Sequence, residues 1–191
     1  MSDKPSYLGL LNAIATAESH AAQYLQAWIE HTDDPDVRAV LQTVELRERE
    51  HGVAFEKRIN ELGFELRPTD DPGFARQMEI VTSDRTDLEK LEALGLLQLR
   101  VEDGPDLFDN LFRDHTIDIQ TGALLGRYIA EERDTLRRVA GCRDVLVCRA
   151  EEATPAREAS SSVEDKVDAL TRAVEELRQI VCAQAMPASG V

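Results

Sequence analysis

Four side chains stand where the helical pattern of this sequence calls for apolar residues. Glu18 lies in the apolar stripe of one segment, Glu48 and His51 take consecutive stripe positions in a second, and Glu132 interrupts the stripe of a later one. An unpaired buried carboxylate is costly or takes up a proton, so each placement demands a partner. Two carboxylates and an imidazole, Glu18, Glu48 and His51, converging in a helical core match the ligand preference of iron or manganese, and Glu132 is the candidate contribution of the later segment.

The elements that must position these groups can be read from periodicity. Leu11, Ile14, Glu18, Ala21, Leu25 and Trp28 recur at spacings of three and four, predicting a helix over about residues 7–31. Thr32-Asp33-Asp34-Pro35-Asp36 breaks it and caps a second helix over about 35–62, which stops at Gly63. The two read as an antiparallel hairpin turning near residue 33. Glu18 lies fifteen residues before that turn and Glu48 fifteen after it, so the two carboxylates meet at one height. At i and i+3, Glu48 and His51 leave one face of the second helix.

Residues 64–83, with Pro68, Pro72 and Gly73, read as a connector. A third helix is expected over 84–100, a short amphipathic one over 106–115, and a fourth from the cap Asp118 to about Val147. The stripe of the fourth carries Leu125, Tyr128, Glu132, Thr135, Val139 and Cys142. Residues 151–162 are small, polar and contain Pro155, which suits a linker. Beyond it Val163, Val167, Leu170, Val174, Leu177 and Val181 are spaced as the seam of a parallel coiled-coil dimer, or else as a helix packing back on its own bundle. The expected organisation is a helical bundle over 1–150, a linker over 151–162 and a C-terminal helix and tail over 163–191.

A Glu on one helix and Glu-x-x-His on the next resembles the half-site of the ferritin-like di-iron carboxylate proteins, including ferritins, rubrerythrins and encapsulated ferritins. The resemblance rests on residues 7–63, about a third of the chain. It implies an all-α, ferritin-like four-helix bundle that oxidises iron(II), or reduces oxygen or peroxide, at a carboxylate-bridged di-iron centre, with manganese as the other candidate metal. Glu18 or Glu48 would bridge, His51 would bind one iron and Glu132 would help hold the other. Thr135 stands where a second Glu-x-x-His would put its histidine, as in ferritin-type sites with a single histidine. Either Glu89 or Glu92 is the third-helix ligand. Two other readings of the same residues remain: a metal-free polar network in a non-enzymatic scaffold, with His51 bridging carboxylates, or a helix rotated so that Glu48 pairs with surface residues.

Composition narrows the setting. The 37 acidic residues outweigh 22 basic ones for a net charge of −15, and no basic cluster exists to neutralise nucleic-acid phosphates. No apolar run approaches a membrane span, and no leader pattern of a basic then an apolar region opens the sequence. Cys142, Cys148 and Cys182 are odd in number and lack CxxC spacing, so neither a disulfide framework nor a cysteine zinc site is expected, and the cytosol is the expected compartment. Tyr24, Trp28, Tyr128 and Cys142 are expected to fill the core, and His20, His31 and His115 to face solvent.

Overall fold

The computed structural model describes residues 4–98 and 116–184, with side chains through 97, from 116 to 153, and at 171. All regular structure among them is helical: α1 Leu8–Glu30, α2 Pro35–Glu61, α3 Phe74–Val81, α4 Asp87–Ala93, a 3-10 turn Leu96–Gln98, and α5 Ile119–Gln184. The chain divides into two compact units, Met1–Leu146 and Val147–Val191.

The first hairpin forms as its sequence predicts. Asp34 Oδ1 accepts from the backbone N–H of Asp36 at 2.8 Å and of Val37 at 3.3 Å, and Pro35 occupies the first turn of α2. At the other end Gly63, at φ 84°, closes α2 with bonds from Gly63 N to Asn60 O and from Phe64 N to Ile59 O. This is the glycine C-terminal motif that satisfies the last helical carbonyls.

The start of α5 is locked to both hairpin helices. Asp118 caps α5 through Gln120 N and Thr121 N, each at 3.0 Å, and its second oxygen accepts from Tyr7 Oη at 2.8 Å. Arg58, buried near the end of α2, donates to Asp118 Oδ1 at 2.8 Å and to Thr121 Oγ1 at 2.8 Å. Tyr7 pairs with Asp118 and, about three helical turns on, Glu18 pairs with Tyr128, separations of 111 and 110 positions. A nearly constant separation means that this part of α5 runs parallel to α1.

Two apolar clusters hold the first unit together. One packs Leu11, Ile14, Phe55, Ile59, Leu125 and Ile129; the other, nearer the hairpin turn, packs Leu25, Trp28, Val37, Leu41, Val81 and Leu91. Burying such a side chain contributes about 1.5–3 kcal/mol. Glu18 lies between Ala15 of the first cluster and Leu25 of the second, so the charged layer is closed above and below by apolar ones.

Several elements differ from expectation. The connector contains α3, and the third helix is only the seven-residue α4. Thr86 and Glu89 form a reciprocal capping box that starts α4 later than Asp84, and Gly95, at φ 75°, ends it before Arg100. The helix predicted over 106–115 lies outside the described residues. α5 does not stop near Val147 but remains helical through 151–162, where a linker was expected. Ala and Glu, both good helix formers, make up six of the twelve residues of that stretch and lie on both sides of Pro155. The coiled-coil seam falls on α5, with its side chains outside the described residues. No helix among the described residues is long and apolar enough to cross a membrane.

Candidate metal centre

Glu18, Glu48, His51 and Glu132 come together, each offering a ligand atom within 4.8 Å of the others. Glu18 comes from α1, Glu48 and His51 from α2, and Glu132 from α5. The first three are buried and Glu132 is half-buried. Gly52 makes the approach possible: a Cβ there would lie 2.8 Å from Ser19 Oγ and 3.3 Å from Ser19 N, so only glycine lets α1 and α2 close this tightly beside Glu18 and His51.

Each donor is aimed. Tyr128 donates from its hydroxyl to Glu18 Oε1 at 2.8 Å, leaving Oε2 turned inward. Its ring meets the imidazole of His51 and the ring of Phe55 edge-on, at centroid distances of 5.0 and 5.2 Å. His51 Nε2 donates to Glu131 Oε2 at 2.7 Å, which directs Nδ1 at Glu132 Oε1, 3.5 Å away, and Glu18 Oε2, 3.8 Å away. Neither approach is a hydrogen bond. Glu18 Oε2, His51 Nδ1 and Glu132 Oε1 are all buried and make no hydrogen bond, facing one another only as long ion pairs.

The electrostatics describe a site in which protons stand in for a cation. Burial, the adjacent Glu18 carboxylate and the charge of Glu132 push the Glu48 carboxyl up to about 10. Burial raises Glu18 as well, but His51, Glu48 and Tyr128 outweigh it and hold Glu18 below its ordinary value. Burial opposes charge on His51, yet Glu132, Glu18 and Glu131 raise the imidazole to about 10. Burial and the nearby carboxylates push the Tyr24 phenol up to about 12 and that of Tyr128 higher still, so both keep their protons.

The donor set fits one hard divalent ion. Bonds of about 2.0–2.2 Å put opposite ligands of an octahedral ion roughly 4.2 Å apart, close to the span seen. Two ions about 3.5–4 Å apart need a wider set, and the expected third-helix ligand does not join. Glu89 accepts from Thr86 N and Thr86 Oγ1, both at 2.8 Å, and Glu92 is exposed. Thr135, in the place of a second histidine, accepts instead from Arg47 Nη1 at 3.4 Å.

Glu131 was not singled out in the sequence because it lies one position off the α5 stripe. Its one local signal is Arg127 four residues before, which pairs with Glu131 Oε1 at 3.0 Å and with Glu50 at 2.6 Å. Tyr128 carries a ligand-orienting bond besides its core role. His20, expected in solvent, is half-buried, stacks on Phe74 at 4.5 Å and lies 3.6 Å from Asp71 Oδ2; His31 is exposed as expected. His115 lies outside the described residues.

The chain matches no protein-family model, no curated protein and no solved structure.

Proposed function

We propose that this chain is a ferritin-like metalloprotein, a cytosolic homodimer that holds one iron or manganese(II) ion per protomer and reduces oxygen or peroxide there. The observation that carries the reading is the convergence of three buried atoms that make no hydrogen bond, Glu18 Oε2, His51 Nδ1 and Glu132 Oε1. Leaving a buried polar group unsatisfied costs about 1–3 kcal/mol, more for a charged one, and a single divalent cation among the three would satisfy all of them.

Bound at this position, iron or manganese would supply electrons one at a time to oxygen or peroxide, with an external one-electron reductant returning the metal to the divalent state. The protein's own contribution is positional. Glu18, Glu48 and Glu132 provide carboxylate oxygens, Glu131 fixes the imidazole of His51, and Tyr128 holds Glu18 from behind. Glu18, Glu48, His51 and Glu132 would be the protein donors to such an ion, and any remaining coordination would be open to small molecules. The apolar clusters on either side lower the local dielectric around the buried Glu18, Glu48 and His51, which would strengthen the attraction between a cation and these carboxylates.

Metal analysis tests this. Protein purified without chelator should carry about one equivalent of iron or manganese per chain, and His51→Ala and Glu132→Ala should each lose most of it. Equal metal content in wild type and both variants would overturn the reading.

A further inference from the structure

A cavity of about 350 Å³ opens directly from the carboxylate layer. Glu18, Glu48 and Glu132 form one end; from there it runs toward the hairpin turn between α1, α2 and α5, ending among Trp28, Val37 and Leu91. Glu18 and Trp28 are ten residues apart on α1, so the long dimension is about 15 Å. The walls between are mostly aliphatic: Leu25, Val40, Leu41, Val44, Val139 and Cys142. An apolar cavity of roughly 150 Å³ is already enough to hold a benzene ring. The volume here falls in the range of roughly 300–1,000 Å³ typical of small-molecule sites.

From this juxtaposition we infer that the cavity binds a neutral, medium-length aliphatic molecule lengthwise, with its polar end at the carboxylate layer. Volume and lining select the alkyl chain. Charge selects the neutral end: three glutamates form one end, Asp71 stands on the wall with His20 beside it at 3.6 Å, and no Lys or Arg lines the cavity among the described residues. A fatty-acid carboxylate would enter against that field, and one divalent cation would offset only two of the four lining carboxylates. An alcohol or aldehyde end meets no such repulsion and can hydrogen-bond. The role of this molecule as substrate rests on the metal-centre reading; its binding does not.

Trp28 is the chain's single tryptophan and lines the cavity, with its indole N–H donated to Asp87 Oδ1 at 2.6 Å, so its emission reports occupancy. Titrating the full chain with 1-octanol should shift Trp28 emission saturably at one molecule per chain, both metal-free and manganese-loaded. Octanoate should bind at least about tenfold more weakly. Val139→Phe and Cys142→Phe, which fill the cavity from α5, should each weaken octanol at least about tenfold while leaving the circular dichroism spectrum intact. No saturable response, octanoate binding as tightly as octanol, or both folded variants binding octanol like wild type would each overturn the inference. Manganese uptake, read separately by electron paramagnetic resonance, keeps the two claims apart. A chain that binds octanol but no manganese upholds the cavity and defeats the metal centre; uptake of manganese without octanol does the reverse.

Discussion

His51 Nε2 lies 2.7 Å from Glu131 Oε2, and this bond turns the other ring nitrogen, Nδ1, onto Glu18 and Glu132. A carboxylate behind a ligating histidine fixes the ring and its tautomer, and losing such a partner lowers metal affinity about 10–100-fold. Glu131→Ala should therefore weaken manganese binding by that factor without unfolding the protein. Glu131→Gln, whose amide oxygen still accepts from Nε2–H, should recover most of the loss. Competitive titration against a chelator reads both. Equal affinities for Glu131→Ala and wild type would show that the ring needs no such support.

The hairpin and its site were legible because two independent signals agreed. Apolar period placed Glu18, Glu48 and His51 inward, and the turn chemistry of Asp34-Pro35 placed them at one height. Short elements escaped because periodicity needs length: α3 and α4 have eight and seven residues, and their boundaries lie in single-residue features, the Thr86–Glu89 capping box and Gly95. Glu131 escaped because it lies beside the stripe rather than in it. No pattern within α5 reveals which off-stripe residue the partner helix will cover.

Gly52 went unread for the same reason, since close approach belongs to the helix pair. Alanine normally favours a helix interior over glycine by about 0.8–1.0 kcal/mol. At position 52, however, the added Cβ meets Ser19 Oγ at 2.8 Å and the Ser19 backbone, so α1 and α2 must part. Gly52→Ala should lose about 1–3 kcal/mol and bind metal more weakly. Gly126→Ala, in α5 with open space around it, is the control and should gain stability. Urea unfolding of the two variants decides: a Gly52→Ala protein as stable as Gly126→Ala would sink the close-approach argument.

The heptads from Val163 to Val181 carry the assembly claim. Their β-branched residues at one seam position and mainly leucine at the other favour a parallel two-stranded pairing. The full chain should be a dimer at micromolar concentration, and deletion after Ala150 should return a monomer that still takes up metal, because all four site residues precede the cut. Light scattering with metal analysis tests both statements; a monomeric full-length chain would refute the first, and a metal-free truncated one the second.

Acid should reach the fold through Asp118. Burial raises its carboxyl, but hydrogen bonds from Thr121, Tyr7 and Arg58 outweigh burial and hold it well below the ordinary carboxylate range. Because the folded pKa is lower than the unfolded one, ionised Asp118 adds stability that is fully present above the unfolded value of about 3.9 and fades as pH falls below it. Asp118→Ala removes the α5 cap, worth about 0.5–2 kcal/mol, and leaves Arg58 with Glu61, Thr121 and Gln120 alone. Wild type should therefore exceed the variant in urea midpoint at pH 7, and the gap should narrow steadily between pH 4 and pH 2 as the native carboxylate takes up a proton. Tyr7 shares this node, so Tyr7→Phe should show a smaller version of the same gap, closing over the same range. A gap that stays constant from pH 7 to pH 2 would mean that the cap, not the charge of Asp118, accounts for the whole difference.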